Sequence, residues 1–89
     1  MEYKIEYLDK AEKELEKLPK RYITQILLKI DSLQYFQTAT GIKKLRGSSD
    51  FSLYRVRSGD YRIIFTVEED KIVIVIIRIA HRKEVYKKL

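Results

Sequence analysis

The stretch FSLYRVRSGDYRIIFTVEEDKIVIVIIRI, residues 51–79, decides the fold of this 89-residue chain. Two β-strand patterns, residues 51–57 and 61–67, are separated by Ser-Gly-Asp at positions 58–60, which predicts a short hairpin connection. Residues 71–79 are apolar almost without a break, as expected of a strand that is buried on both faces of a sheet. The second half of the chain therefore predicts three strands of one sheet.

The first half of the chain predicts one more strand and a pair of helices. Residues 3–8 alternate well enough for a strand, and two segments with apolar residues at helical spacing follow, the second ending near Phe36. Asp9 is the expected N-cap of the first helix, and Glu12 would complete a capping box. Pro19 ends this helix and suits the first turn of the next one. The two helices form a hairpin whose apolar faces must pack on the sheet.

The order of these elements predicts a single α+β domain over residues 1–89. A helical hairpin covers one face of a small, mostly antiparallel sheet in the order β-α-α-β-β-β, and residues 82–88 form a terminal turn or short helix. The chain has no cysteine and is 45% hydrophobic, as is usual for a globular protein without disulfides. Neither a signal peptide nor an apolar run of membrane-spanning length is visible, so we expect a cytoplasmic protein without a membrane partner.

The excess positive charge of the chain lies entirely in its second half. Residues 1–40 hold seven Lys or Arg and seven Asp or Glu, whereas residues 41–89 hold twelve and six, which accounts for the whole net charge of +6. Such asymmetry indicates an anionic partner, with nucleic acid as the first candidate. The alternative is a charge that serves only solubility.

Alternation places several arginines on one side of the predicted sheet. Within residues 61–67 the odd-numbered positions share the face that we assign to the helix-covered core, so Arg62 points to the opposite, open face. In residues 51–57, Arg55 and Arg57 share a face and can lie beside Arg62 if the hairpin register agrees. The open face of this hairpin is therefore predicted to be basic.

The end of the last strand and the tail add further polar groups. His81 and Arg82 follow the apolar run, and a helical tail would place Tyr86 one turn beyond Arg82. Antiparallel strand order would then gather Arg55, Arg62, Arg82 and the two aromatic groups into one concave, basic patch.

The residues of this patch suit few kinds of chemistry. The sequence offers no carboxylate pair spaced for glycosidase work, no His, Asp and Glu cluster for a metal, and no glycine-rich phosphate loop. Cations, one imidazole and phenols remain, and these suit RNA cleavage without a cofactor. The ribose 2′-OH attacks the adjacent phosphorus while arginines bind the phosphoryl oxygens, so DNA would stay intact. One histidine can fill only one of the two proton-transfer roles.

Three segments, KKLRG, YRVRSGDYRIIF and RIAHRKEVY, resemble in order and spacing the RelE toxins of the RelE/ParE superfamily. The helical hairpin AEKELEKLPKRYITQILLKI fits the same pattern, so the resemblance spans essentially the whole chain. It implies a compact, RelE-like α+β fold and a toxin that cuts mRNA codons in the ribosomal A site, which inhibits translation. It also implies a tightly bound, RelB-like antitoxin.

The resemblance implies roles for individual residues. Arg62 matches the sheet arginine that contacts the scissile phosphate, Arg82 matches the arginine before the terminal segment, and Tyr86 matches the terminal tyrosine. Arg55 falls near the basic strand pair, where well-studied members have two lysines as base and charge stabiliser. Leu53 occupies one of those lysine positions, so this chain departs from the family pattern there.

The general base is the least determined of these roles. Arginine stays protonated at neutral pH and is a poor base, so His81 is the first candidate, and Arg55 or a ribosomal group is the second. We expect the surrounding cations to contact RNA or the ribosome; they are Lys43, Lys44, Arg46, Arg57, Arg78 and Lys83.

Two other functions are consistent with the sequence. A ParE-like protein of the same fold would inhibit DNA gyrase by protein–protein contact, and a non-catalytic module would bind RNA or the ribosome without cutting RNA. We expect an antitoxin to bind as an acidic, amphipathic segment that occludes the patch or displaces the tail at Glu84–Leu89.

Overall fold

A five-stranded sheet with two α-helices packed on one face forms the protein in the computed structural model, which describes residues 2–47 and 52–84. Neither of these two helices is long and apolar enough to cross a lipid bilayer. In chain order the elements are β1 (Lys4–Tyr7), α1 (Asp9–Glu16), α2 (Lys20–Ser32), a 3-10 turn (Leu33–Tyr35), β2 (Lys43–Gly47), β3 (Ser52–Ser58), β4 (Tyr61–Glu68) and β5 (Val73–His81).

The strands lie in the order β1-β5-β4-β3-β2. β1 is parallel to β5, and every other neighbouring pair is antiparallel. The predicted α+β class and mostly antiparallel sheet are therefore confirmed. β5 lies inside the sheet between β1 and β4, as its almost continuous apolar sequence predicts.

Four strands are predicted from the sequence, and the structure has a fifth, β2, at one edge of the sheet. The predicted order β-α-α-β-β-β has no strand between the second helix and β3 and therefore omits β2. Its sequence KKLRG is mostly cationic, which hides the apolar alternation by which strands are recognised. Lysine is common on edge strands because it discourages pairing with other chains. A register shift between Lys44 and Arg46 interrupts the pattern further.

The helices begin differently from the prediction. Leu8 is the N-cap of α1 and no side chain caps the helix, so the predicted capping box of Asp9 and Glu12 is wrong. Both carboxylates instead lie in the first turn, where they interact favourably with the positive end of the helix dipole. Pro19 is the N-cap of α2, and its carbonyl accepts hydrogen bonds from the first turn of that helix.

The main hydrophobic core lies between the helices and the sheet, and the faces predicted for β3 and β4 are confirmed. Val56, Ile63 and Phe65 belong to this core, whereas Leu53 and Ile64 form a second, smaller cluster on the opposite face. The open face is therefore partly apolar. Partly buried residues that pack against the second cluster are Leu45, Ile77 and Ala80.

A β-bulge reverses the alternation of side chains along β5. The β4–β5 register shifts here and leaves Ile77 as an extra residue in β5. Before the bulge Ile74 and Ile76 face the main core, and after it Ile79 does. The last residues of β5 therefore present opposite sides from those of a regular strand.

Tyr7 should make the stability of the protein depend on alkaline pH. Burial raises the pKa of Tyr7 above its ordinary value of 10.0, and the carboxylates of Asp31 and Glu12 raise it further. The folded state therefore favours the neutral phenol, and this contribution is fully present below the unfolded pKa and lost as pH rises through the folded pKa. We expect the free energy of unfolding, measured by denaturant titration, to fall above about pH 10.

The same titration of Tyr7→Phe should show a weaker decline, because the substituted ring has no proton to lose. Tyr35→Phe is the matched control, since the Tyr35 side chain is largely exposed. A decline in Tyr7→Phe as steep as that of the wild type would show that Tyr7 does not cause it.

Candidate functional site

Two arginines face each other directly on the open side of the β3–β4 hairpin. The register pairs Arg57 with Arg62, and it pairs Arg55 with Ile64 two residues further along. The three arginines therefore share a face, as alternation predicts. Like charges at directly opposite positions destabilise a sheet, typically by a few tenths of a kcal/mol to about 1 kcal/mol. A bound anion would remove this repulsion.

The turn between β3 and β4 orients Arg62. Gly59 has a φ of +59°, as a two-residue hairpin loop with glycine at its first position requires. The Arg62 Nη1 donates to the Gly59 carbonyl and to the Tyr61 carbonyl, each at 3.2 Å. These bonds draw the guanidinium toward the end of the sheet and hold it at the turn.

Arg82 lies at the same turn because β5 ends beside it. The backbone N–H of Arg82 donates to the Asp60 carbonyl at 2.8 Å. The Arg82 Nε lies 4.0 Å from the Asp60 Oδ1, and both side chains are more than half exposed. An exposed pair of this kind contributes about 0–1 kcal/mol, so it would yield easily to a phosphate. We call Arg57, Arg62 and Arg82 the arginine cluster.

Arg55 lies one step inward from the arginine cluster and is buried. Only 9% of the residue is exposed, and its Nε has no hydrogen-bond partner among residues 2–47 and 52–84. Its neighbours across the strands are Lys43 on one side and Ile64 on the other. Two residues of a strand span about 7 Å, which separates Arg55 from the row of Arg57 and Arg62. Arg55 therefore adds positive charge behind the arginine cluster.

Arg78 is a structural group, and its predicted contact with RNA or the ribosome has to be corrected. The Arg78 Nη2 and Nε donate to Glu14 of α1 at 2.9 and 3.1 Å, and only 10% of the Arg78 side chain is exposed. Glu14 also accepts the backbone N–H of Ile79 at 2.9 Å. Because β1 pairs only as far as Ile76, this carboxylate satisfies an edge N–H that no strand reaches.

His81 lies on the helix-covered side of the sheet, opposite the face that carries Arg57 and Arg62. It pairs with Tyr61, whose ring belongs to the main core, and the two ring centroids are 5.8 Å apart. The His81 Nδ1 accepts the backbone N–H of Lys83 at 3.2 Å. A neutral His81 therefore carries its proton on Nε2, which leaves no lone pair there for a general base. The prediction that His81 joins the arginines in one concave patch is wrong.

The remaining predicted contact residues are spread over the described structure. Lys43 neighbours Arg55 on the open face, but Lys44 pairs with Tyr54 of the main core and so lies on the helix-covered side. Lys83 is exposed in the turn after β5. Arg46 lies in β2, and its side chain is outside the described part of the structure. Tyr86 and most of the predicted tail helix also lie outside the described residues.

Two acidic residues of the site escaped the sequence reasoning. Glu14 looks like any solvated glutamate in the run EKELEK, and only the contact with β5 reveals its role. Asp60 is recognisable as a turn residue, but nothing in the sequence shows that Arg82 returns to it. Both contacts join segments that are far apart in the chain.

Glu14→Ala should lower the free energy of unfolding by about 3–5 kcal/mol, the usual cost of leaving one partner of a buried ion pair uncompensated. Arg78 would keep its charge in a largely buried position without a counter-charge. Glu16→Ala on the exposed side of α1 is the control and should change stability by less than about 0.5 kcal/mol. Chemical denaturation measures both. Equal losses would show that the Glu14–Arg78 pair does not stabilise the fold.

The fold and the arginine cluster define a small α+β protein with three arginines gathered at one end of its sheet, and comparison with known proteins gives its family. Residues 5–86 match the family described as the ParE toxin of type II toxin–antitoxin system, parDE. No curated protein matches the chain.

Among solved structures, the chain is similar to the archaeal RelE–RelB complex from Pyrococcus horikoshii OT3. Identity is 33% over 96% of this chain and 100% of that chain, with a TM-score of 0.80. The isolated E. coli RelE toxin gives 28% identity over 97% and 93% of the two chains and a TM-score of 0.71. The RelB–RelE complex from Methanococcus jannaschii gives 28% identity over 91% and 94%, with a TM-score of 0.68.

The chain belongs to the RelE/ParE superfamily of toxins from type II toxin–antitoxin systems. The resemblance seen in the sequence is thereby confirmed. The family match carries the ParE name, and the structural matches carry the RelE name.

Proposed function

We propose that this toxin is a ribosome-dependent, metal-independent mRNA endoribonuclease, which cleaves A-site codons and so inhibits translation in the cytoplasm. The arginine cluster carries the proposal. It places Arg57 and Arg62 opposite each other at the end of the sheet, with Arg82 returning to the same turn. The similarity to RelE toxins supports a nuclease that acts on mRNA.

The arginines would stabilise charge on one phosphodiester. The 2′-oxygen attacks the adjacent phosphorus, the bond from phosphorus to the 5′-oxygen breaks, and negative charge builds on the non-bridging oxygens. Arg62 and Arg82 would donate to these oxygens, since guanidinium groups match phosphate in a bidentate geometry. Arg55 would raise the local positive potential from its buried position. The chain needs no cofactor for this route.

Proton transfer falls to groups other than the arginines. One group has to accept the 2′ proton and another has to protonate the 5′-oxygen. The His81 Nδ1 is engaged by the Lys83 N–H, and the ring lies on the other side of the sheet. We assign proton transfer to Tyr86 and to groups of the ribosome. This division explains why the toxin would need the ribosome to cut RNA.

A RelB-like antitoxin is the proposed partner that silences the toxin. The P. horikoshii and M. jannaschii relatives are RelE in complex with RelB. The net charge of +6 and the exposed arginine cluster favour an acidic segment as the neutralising element. We expect it to occlude the cluster or to displace residues 84–89.

Arg62→Ala and Tyr86→Ala test the nuclease directly. Each should reduce cleavage of A-site mRNA by at least about 100-fold, the typical loss when a group that stabilises a transition-state oxyanion, here Arg62, or a general acid or base, here Tyr86, is removed. Primer extension after brief induction maps the mRNA ends, and colony growth reports toxicity. Lys10→Ala on α1 removes one exposed cation remote from the site and should behave like the wild type. If both site variants cut mRNA and arrest growth like the wild type, the assigned roles are wrong.

A ParE-like inhibitor of DNA gyrase is the second candidate, and the family match over residues 5–86 favours it. Such a protein would bind gyrase directly, so DNA supercoiling by purified gyrase should fall on adding the toxin while mRNA stays intact. Under the nuclease proposal, supercoiling is unchanged and new mRNA ends appear. Strong, salt-dependent RNA binding with neither effect would indicate a non-catalytic RNA-binding module.

A further inference from the structure

Three aromatic rings lie in a row at the end of the sheet that carries the arginine cluster. Tyr22 of α2 and Tyr61 of β4 have ring centroids 5.2 Å apart and are tilted by 49°. The His81 ring meets Tyr61 edge-on, with 5.8 Å between centroids and 81° between planes. The Arg21 Cζ lies over the Tyr22 ring, 4.7 Å from its centroid, and so places a cation beside the row of rings. We call Tyr22, Tyr61 and His81 the aromatic shelf.

The aromatic shelf packs against the core but remains partly open to solvent. Tyr22 and Tyr61 contact the main core on one side, yet all three residues are only partly buried. Phe36 and Tyr54 differ, because their rings lie against the fully buried Phe65 and serve packing. Fixed, half-exposed aromatic rings beside cations are the usual platform on which proteins stack unpaired bases.

His81 adds a hydrogen-bond donor to the aromatic shelf. Because its Nδ1 accepts the Lys83 N–H, the neutral ring carries a proton on Nε2. An N–H on the edge of such a ring can meet a carbonyl oxygen or ring nitrogen of a nucleobase. The contact that disfavours His81 as a general base thus suits it to base recognition.

Residues of the aromatic shelf and of the arginine cluster are neighbours in the chain at two places. Arg62 follows Tyr61 in β4, and successive residues of a strand point to opposite faces. Arg82 follows His81 in the turn after β5, where its backbone N–H donates to the Asp60 carbonyl of the β3–β4 turn. A strand of RNA that passes over the end of the sheet would therefore meet cations on one side and aromatic rings on the other.

We propose that the aromatic shelf stacks a nucleobase of single-stranded RNA next to the phosphate that the arginine cluster binds. The place of that phosphate rests on the proposed function, whereas stacking on the shelf is a binding property of the isolated toxin. Tyr61 and His81 are positioning residues in this arrangement, because they would fix the nucleotide relative to the arginines.

The single histidine of the chain allows a direct spectroscopic test. A short 2′-O-methyl RNA oligonucleotide, which has no attacking hydroxyl, is titrated into the full-length toxin while the carbon-bound ring protons of His81 are followed by NMR. We expect an upfield shift, because a stacked base imposes its ring current. The same oligonucleotide with abasic positions should bind through its phosphates without that shift. An equal response to both oligonucleotides would overturn the proposal.

Variants separate stacking from phosphate binding. Tyr61→Leu and His81→Ala should each weaken binding of the base-containing oligonucleotide by at least about fivefold, the lower end of the usual loss for a stacking ring, and leave abasic binding unchanged. Tyr61→Phe should bind like the wild type. Arg62→Ala, by contrast, should weaken both oligonucleotides equally. If the two shelf variants keep the wild-type preference for bases, the rings serve packing only.

The outcomes distinguish this proposal from the nuclease. Tyr61 also contacts the main core, so the amide spectrum must first show that Tyr61→Leu is folded. If this variant is unfolded, His81→Ala decides, because His81 is the last residue of β5 and its loss should disturb the fold less. Base-dependent binding without mRNA cleavage would reject the nuclease and keep the shelf. Cleavage of mRNA without any preference for base-containing RNA in the binding experiment would support the nuclease and reject the shelf.

Discussion

Glu14 holds the structure together at the point where β1 stops and β5 continues. Its carboxylate accepts hydrogen bonds from the Arg78 guanidinium and from the Ile79 backbone N–H, both in β5. The contact fastens α1 along the edge of β5 that β1 does not cover. Without Glu14, the Ile79 N–H at the edge of β5 would lose its partner. The largely buried Arg78 guanidinium would lose its counter-charge at the same place. Past this point the end of β5 pairs with β4 alone, and Arg82 follows it into the turn where its N–H reaches the Asp60 carbonyl.

The site is built from ends of strands rather than from a cavity. The β3–β4 turn and the residues after β5 meet through the Asp60 carbonyl, which accepts the Arg82 backbone N–H, and Arg62 is held at the same turn. Such a site is pre-organised in its backbone and in the Arg62 guanidinium, which two carbonyls hold at the turn, while Arg57 and Arg82 are exposed. The mutual repulsion of Arg57 and Arg62 favours a ligand of opposite charge. An extended anion that crosses the turn fits this arrangement better than a compact one.

Simple alternation was enough to find one side of the site and failed on the other. The common face of Arg55, Arg57 and Arg62 follows from the alternation of side chains along the strands, and the hairpin register agrees with it. Alternation did not predict the faces of the side chains at the end of β5, because an uninterrupted run of Ile and Val gives no sign of the bulge at Ile77. Once an extra residue is inserted, every later side chain changes face.

Other features could not be read because they depend on contacts between distant segments. β2 carries too many charges to look like a strand, and it pairs with β3 only because the folded chain brings the two together. The burial of Arg78 requires Glu14, 64 residues earlier in the chain. The local sequence around Arg78 gives the same impression as that around any exposed arginine. Fold class is therefore readable from pattern, while the state of individual charges is not.

The parallel pairing of β1 with β5 has a consequence for synthesis of the toxin. Residues 4–7 pair with residues 73–76, and the Lys4 N–H donates to the Ile72 carbonyl at 2.9 Å. Long-range pairing of this kind is slow, because a large loop has to close before the contacts form. The finished surface therefore cannot exist while the final strand is still being translated. A partner that recognises the folded sheet can therefore bind only after this long-range pairing has formed.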